Sequence, residues 1–202
     1  MRGLWIWLMV IACAFGAWRS WQHRQLEQRP GILVRGEPRQ DSLDGADSRA
    51  FEHQGYLLKP QASYRIQARL LSRESYGSGR ESELSPLDFA LGWGPMSDST
   101  VLDAIEISQS GRFFWVRWPD QPPIPEGEIF DHAANTHLIP ADRRVSGLLD
   151  KMRPGQLIEL SGRLVNATAA DGWHWNSSLK RTDTGAGACE LMWVEDARIL
   201  NR

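Results

Sequence analysis

The chain has 202 residues, of which 42% are hydrophobic and 24% are charged, and its formal net charge at pH 7 is −2. Once an apolar start and its basic flank are set aside, about 170 residues remain, enough for one domain with a real core and too few for two. The small net charge excludes the strong positive field of typical nucleic-acid-binding proteins, and no nucleic-acid partner is expected.

The first predicted element is an apolar segment at the N-terminus. Residues 3–18 carry no charged side chain and lie between Arg2 and Arg19. This pattern predicts an N-terminal membrane helix within residues 1–21, in contact with the membrane from Leu4 to Trp18. A helix of this length is about 24 Å long, which is short for a bilayer core of about 30 Å.

The fate and orientation of this segment stay open. It could be an uncleaved anchor, a signal peptide cleaved before Ala17, or a lipoprotein signal that acylates Cys13. Arg19, Arg24 and Arg29 follow the apolar run, and the positive-inside rule alone would keep the domain in the cytoplasm. A very short N-terminal tail with one arginine is instead usual in exported chains, so we expect the domain outside the cytoplasm.

The rest of the chain divides into a linker and a domain. Residues 22–54 include a stretch rich in Asp, Ser, Arg and Gly and are predicted to form a juxtamembrane linker, whereas residues 55–202 are predicted to form a β-rich globular domain. Apolar and polar residues alternate over 63–72, as in a half-buried strand. A second short apolar run covers 87–93 and ends at Gly94-Pro95.

Further elements follow in order. Residues 105–108 and 112–118 flank a turn and predict a hairpin, and the proline-rich stretch 119–125 predicts a loop. Asp142 is expected to cap a short helix that stops at Pro154-Gly155. A second hairpin then turns at Asp171-Gly172, and residues 191–194 supply the last strand.

This order of elements predicts a mainly β fold. The single short helix before the penultimate hairpin, together with the Pro-Gly-x-Leu-x-x-Leu-x-Gly entry from Pro154 to Gly162, resembles an OB-like small Greek-key barrel preceded by the N-terminal membrane helix. An irregular α+β sheet is the alternative.

Three stretches carry a resemblance to a family. They are Glu83-Leu-Ser-Pro-Leu-Asp-Phe-Ala-Leu-Gly-Trp-Gly-Pro-Met-Ser-Asp98, His137-Leu-Ile-Pro-Ala141 and Ser177-Ser-Leu-Lys-Arg-Thr-Asp-Thr-Gly-Ala-Gly-Ala-Cys-Glu190. With them, residues 56–194 resemble an uncharacterised family of bacterial membrane-anchored or exported proteins that has no established activity. The resemblance implies a bacterial origin and supplies no catalytic residue. Together with the N-terminal segment, it leads us to expect a single-pass protein of the bacterial cell membrane with a periplasmic domain.

The candidate catalytic residues are Asp183, His137 and Glu190. Asp183-Thr-Gly-Ala186 matches the active-site tetrad of retroviral-type aspartic proteases, in which two loops bring paired carboxylates together. The apolar strand that normally precedes this tetrad is replaced by Lys180-Arg-Thr182. A glycine-rich turn is therefore the simpler interpretation of the match. No metal centre and no cofactor are predicted.

Candidate binding residues are polar or aromatic groups on predicted loops and strand ends. A tight turn over 92–95 is expected to present Trp93, and indoles at strand ends suit ligand stacking. The candidates are Asp88, Trp93, Asp98, Asn135, His137, Trp173, Trp175, Arg181 and Asp183. Residues 132–137 have prolines on both sides, in the stretch 119–125 and at Pro140, and are expected to form an extended loop segment.

Two functional hypotheses follow. The first is a membrane-tethered, non-catalytic module that binds a protein, peptide or glycan; it predicts that Asp88, His137, Asp183 and Glu190 lie scattered or in structural hydrogen bonds. The second is a hydrolase-like enzyme that uses Asp183 with His137 or Glu190, and it predicts that these groups converge on one pocket.

Overall fold

The structure is a computed structural model that describes residues 5–11, 13, 14, 16, 24–180, 185 and 187–200. Within these residues the chain is mainly β. The strands in chain order are β1 (Arg39–Asp41), β2 (Phe51–His53), β3 (Tyr56–Ser75), β4 (Leu87–Gly92), β5 (Glu106–Ser110), β6 (Phe113–Arg117), β7 (Ala133–Pro140), β8 (Leu157–Thr168), β9 (His174–Asn176) and β10 (Glu190–Ile199). The α-helices that follow residue 24 are α1 (Arg80–Leu84), α2 (Ser99–Leu102), α3 (Glu126–Asp131) and α4 (Arg143–Leu149). The mainly β prediction is confirmed.

A closed ring of strands forms the centre of the described part of the chain. Its members are β3, β4, β7, β10 and β8, and β8 pairs again with β3. Neighbouring strands of the ring are antiparallel except β7 and β10, which run parallel. Because β3 is 20 residues long, residues 57–69 pair with β8 while residues 69–75 pair with β4. Register shifts at Pro60/Ala62 and Leu70/Ser72 bend the strand around the ring.

Alternate residues of these strands fill the ring with an apolar core. Buried members of this core include Tyr64, Ile66, Leu70, Phe89, Leu91, Leu138, Ile158, Leu160, Leu164, Met192 and Val194. Helix α4 adds Val145 and Leu149 to the same core. The Asp142 carboxylate accepts a hydrogen bond from the Val145 amide at 2.8 Å and caps the helix as predicted.

A glycine allows two ring strands to approach each other. Gly162 on β8 pairs with Val194 beside the bulge of β10. A Cβ atom at Gly162 would overlap the main-chain carbonyl oxygen of Trp193. The absent side chain is therefore a requirement of ring closure at this point.

Residues that precede the ring pack against it. The backbone amides of Leu33 and Val34 donate to Ser97 Oγ at 3.0 Å each, and both side chains are buried in the central core. Strands β1 and β2 pair with β3. The sequence predicted a loose linker over residues 22–54, whereas the structure packs parts of this stretch against the ring. A few apolar residues within the polar stretch are enough to dock it there.

The interpretation of 132–137 as a loop was wrong. Residues Ala133–Pro140 form β7, between β4 and β10 in the ring. The strand is buried on both faces, so it lacks the alternation that marks a half-exposed strand. On its outer face, Asn135 bonds Gln109 and His137 lies beside Asp88.

The N-terminal segment is only partly described. Residues 5–11 are helical and their apolar side chains are exposed. Among the described residues, none of the helices combines the length and apolar character that crossing a bilayer requires. Membrane targeting by residues 1–21 stays a prediction.

Candidate functional site

A buried carboxylate and a buried imidazole lie in contact on the outer face of the ring. Asp88 on β4 is directly opposite His137 on β7, and both side chains point away from the central core because their neighbours Phe89 and Leu138 point into it. The His137 Nδ1 atom is 3.0 Å from Asp88 Oδ2. Asp88 is 0% exposed and His137 is 3% exposed. A carboxylate beside Nδ1 orients the imidazole and leaves Nε2 as its second polar atom.

Arg112 completes this cluster from the tip of the hairpin formed by β5 and β6. Gly111 and Arg112 both have positive φ, 59° and 71°, as in the tight two-residue turns of β-hairpins. The Arg112 Nη1 atom donates to Asp88 Oδ1 at 2.8 Å. Its guanidinium carbon lies 3.8 Å from the centre of the Tyr76 ring and 5.5 Å from that of Trp175. Arg112 is therefore held by a charge and by two aromatic rings.

Tyr76 supports Arg112 through its hydroxyl group as well as its ring. The Arg112 backbone amide donates to Tyr76 Oη at 3.1 Å. Burial and then the nearby charge of Asp88 raise the pKa of Tyr76 to about 12, so the phenol remains neutral at physiological pH.

Asn135 fastens the hairpin to the ring. Its side-chain amide donates to the Arg112 carbonyl at 2.9 Å, and its carbonyl accepts from Gln109 Nε2 at 2.8 Å. The same amide lies 3.6 Å from Cys189 Sγ. Asn135 is 4% exposed, so these contacts satisfy a buried polar group and fix the distance between hairpin and ring.

Two indoles, Trp173 and Trp175, form a second wall of the site. Trp175 on β9 lies with its ring centre 4.7 Å from that of His137, and Trp173 lies 6.3 Å from Trp175 at an interplanar angle of 72°. The Arg80 guanidinium packs over Trp173 at 4.9 Å. Both indoles are half-buried, so each keeps surface for a ligand.

Between these walls lies a cavity of about 460 Å³, which falls in the usual range of about 300–1,000 Å³ for ligand sites. We call it the aromatic groove. Its lining residues are Glu81, Arg112, Phe113, His137, Trp173, His174, Trp175, Asn176, Gly187 and Cys189.

Glu190 does not join this groove. It pairs with Thr136 on β7, one residue before His137. Because neighbouring residues of a strand point to opposite faces, Glu190 and Thr136 lie on the core side while His137 lies outside. Glu190 lines a separate cavity of about 350 Å³ that also contacts Asn135 and Cys189.

The remaining candidates have structural positions or are not described. Trp93 is 1% exposed and packs in the central core. The expectation that a turn presents it to a ligand was therefore wrong, because its side chain points into the core like those of Phe89 and Leu91 in β4. Asp98 accepts from the amides of Thr100 and Gly31 at 2.8 Å each, and these bonds lower its pKa. Arg181 and Asp183 lie outside the described residues.

In the described part of the chain, no group of three or more acidic, histidine or cysteine side chains could hold a metal ion.

Arg112 and Tyr76 were missed by sequence reasoning. Arg112 follows Gly111 in a turn, and Tyr76 is the first residue after a long strand. Their roles depend on contacts with Asp88 and Trp175 that are distant in sequence, so no local pattern marks them. The position of Arg112 at a hairpin tip was the one available signal.

Comparison with protein-family models, curated proteins and solved structures gave no match to this chain.

Proposed function

We propose that this protein is a membrane-tethered, extracytoplasmic module with an OB-type barrel that binds a ligand in the aromatic groove and has no catalytic role. The strand order supports the OB-type assignment: five strands close into one ring, the third and fifth run parallel, and a helix connects the third to the fourth. OB-type barrels bind ligands on the face of strands two and three, between the loops that join strands 1–2 and 4–5.

The observation that carries the proposal is the location of the groove. In ring order, β4 and β7 are the second and third strands, and they contribute Asp88 and His137. Residues 76–86 join the first two ring strands, and residues 169–189 join the last two and include Trp173 and Trp175. The aromatic groove therefore coincides with the face and loops that OB-type barrels use for binding.

The arrangement of polar groups supports binding over catalysis. Asp88 binds Arg112 at 2.8 Å and lies 3.0 Å from His137 Nδ1. Glu190, one of the two residues considered as a partner of Asp183 in a hydrolase, lies on the other face of the sheet from His137. The groove thus brings together an imidazole and aromatic surface, and the acid among its described lining residues is Glu81, not Glu190.

A fragment screen tests this proposal. The full chain in lipid nanodiscs is titrated with a library of small polar and aromatic fragments, and shifts of backbone and indole resonances are mapped by NMR. We expect the shifts to concentrate at His137, Trp173 and Trp175. If no fragment binds, or if the shifts are spread evenly over the surface, the assignment of the groove as a binding site is overturned.

The hydrolase alternative has one observation in its favour, which is the 3.0 Å contact between Asp88 and His137. A carboxylate that orients an imidazole is a common general-base arrangement. Turnover of an ester or peptide substrate that is lost in both His137→Gln and Asp183→Asn, with unchanged unfolding midpoints, would support the alternative. Equal rates in the wild type and both variants would dismiss it.

A further inference from the structure

We infer that the ligand of the aromatic groove is a neutral carbohydrate chain, an inference that rests on the proposed binding function and specifies its ligand. OB-type barrels take both oligonucleotides and oligosaccharides on this face. Charge and ring geometry in the groove decide between these two classes.

The arginines beside the groove are already paired with acids. Arg112 binds the fully buried Asp88 at 2.8 Å, and Arg80 binds Asp171 at 2.6 Å through a two-pronged contact. Glu81 adds a further acid to the lining. A phosphate or uronate would have to share either arginine with the acid already bound to it and would also meet the carboxylate of Glu81. An uncharged ligand meets none of these penalties, because it leaves both pairs in place.

The two indoles provide surfaces for sugar rings. Trp173 and Trp175 meet at 72° with their centres 6.3 Å apart, so they form a corner and not a flat platform. The C–H face of a pyranose can lie on one indole while its edge contacts the other. Phe113, which is 39% exposed, extends the aromatic surface on the hairpin side.

Polar groups at the groove suit hydroxyl ligands. His137 Nδ1 lies 3.0 Å from Asp88 Oδ2, so Nε2 is the ring nitrogen that can form a hydrogen bond with a sugar hydroxyl. The exposed Asn176 adds an amide that both donates and accepts. A hydroxyl group can both donate and accept a hydrogen bond, so the hydroxyl groups of one sugar unit can bond to each of these side chains.

The test uses the full chain in nanodiscs and four probes. They are a neutral β-1,4-linked N-acetylglucosamine oligomer, a neutral glucose oligomer, a polyuronate oligomer and a single-stranded oligothymidylate. We expect a neutral oligosaccharide to shift the Trp175 indole resonance, with an affinity that does not change between low and high salt. Trp175→Ala should weaken this binding on the order of tenfold or more.

The matched control is Trp115→Ala. Trp115 is 51% exposed on the hairpin and does not line the groove, so its loss should leave the affinity unchanged. Binding of only the polyuronate or the oligothymidylate, with steep salt dependence, would overturn the inference while keeping the groove as a binding site. Failure of both neutral oligomers to perturb Trp175 would overturn it too, and the fragment screen would then decide whether the groove binds any ligand at all.

Discussion

His137 and Asp88 face each other across two neighbouring strands, with Nδ1 and Oδ2 3.0 Å apart. The pair sits outside the apolar core and beneath Trp175, so it links the ring to the wall of the groove. Arg112 reaches the same carboxylate from the hairpin. One buried acid thus positions a histidine, an arginine and, through them, the aromatic surface.

Asp88→Asn should destabilise the fold. The substitution keeps the shape of the side chain but leaves Arg112 without its anionic partner in a largely buried site, for which we expect a loss of about 2–4 kcal/mol. The free energy of unfolding in urea measures it. The control is Asp196→Asn, which breaks the exposed pair with Arg144 and should cost less than about 1 kcal/mol. Equal losses in the two variants would contradict the role of Asp88.

Gly162→Ala should destabilise the ring by about 2 kcal/mol, because the new methyl group would overlap the Trp193 carbonyl and force β8 and β10 apart. Gly147→Ala is the matched control. Gly147 lies inside α4 with open space around its Cα, and alanine there should stabilise the protein by about 0.5–1 kcal/mol. Thermal unfolding should show a lower midpoint than the wild type for Gly162→Ala and a higher midpoint for Gly147→Ala. An unchanged midpoint in Gly162→Ala would argue against the close approach of the two strands.

The pKa of Tyr76 predicts a pH dependence at alkaline pH. Its folded-state pKa of about 12 exceeds the unfolded value of about 10. The unfolded chain therefore loses this proton first, and the stabilisation is complete below about pH 10 and is lost as the pH rises through about 12. The difference in unfolding free energy between the wild type and Tyr76→Phe should shrink over this interval. A constant difference would show that Tyr76 does not titrate in the predicted way.

The proposed sidedness predicts the outcome of reporter fusions at the C-terminus. A phosphatase reporter that folds only outside the cytoplasm should be active, and a reporter that works only in the cytoplasm should be inactive. Replacing Leu8 and Ile11 by arginine should abolish export, because two charges interrupt the apolar run. The reverse pattern of reporter activity would place the domain in the cytoplasm, as Arg19, Arg24 and Arg29 alone would suggest.

The parts of the fold that were predictable have strong local patterns. The alternation over 63–72 lies within β3, the hairpin of β5 and β6 was expected, and Asp142 caps α4. Strand β7 could not be predicted in the same way. Two of its polar residues, Asn135 and His137, are buried by contacts with the distant hairpin and β9, and such contacts leave no periodic pattern in the sequence.

The candidate site was predictable only in part. Asp88, Asn135, His137, Trp173 and Trp175 were all identified as candidates, and the structure brings them to one side of the ring. Trp93 was misplaced because an apolar run before a turn gives no indication of whether its last side chain points inward. The groups that hold the cluster together, Arg112 and Tyr76, act through tertiary contacts alone.

The affinity of the full chain for the tightest fragment from the screen, compared between Trp175→Ala and Trp115→Ala, tests the binding role of the groove most directly. Both substitutions remove an indole, but only Trp175 lines the groove. We predict that Trp175→Ala weakens binding at least about tenfold, since truncation of a stacking aromatic costs about 1–3 kcal/mol, and that Trp115→Ala leaves it unchanged. Equal affinities in the two variants, or a loss confined to Trp115→Ala, would contradict the account.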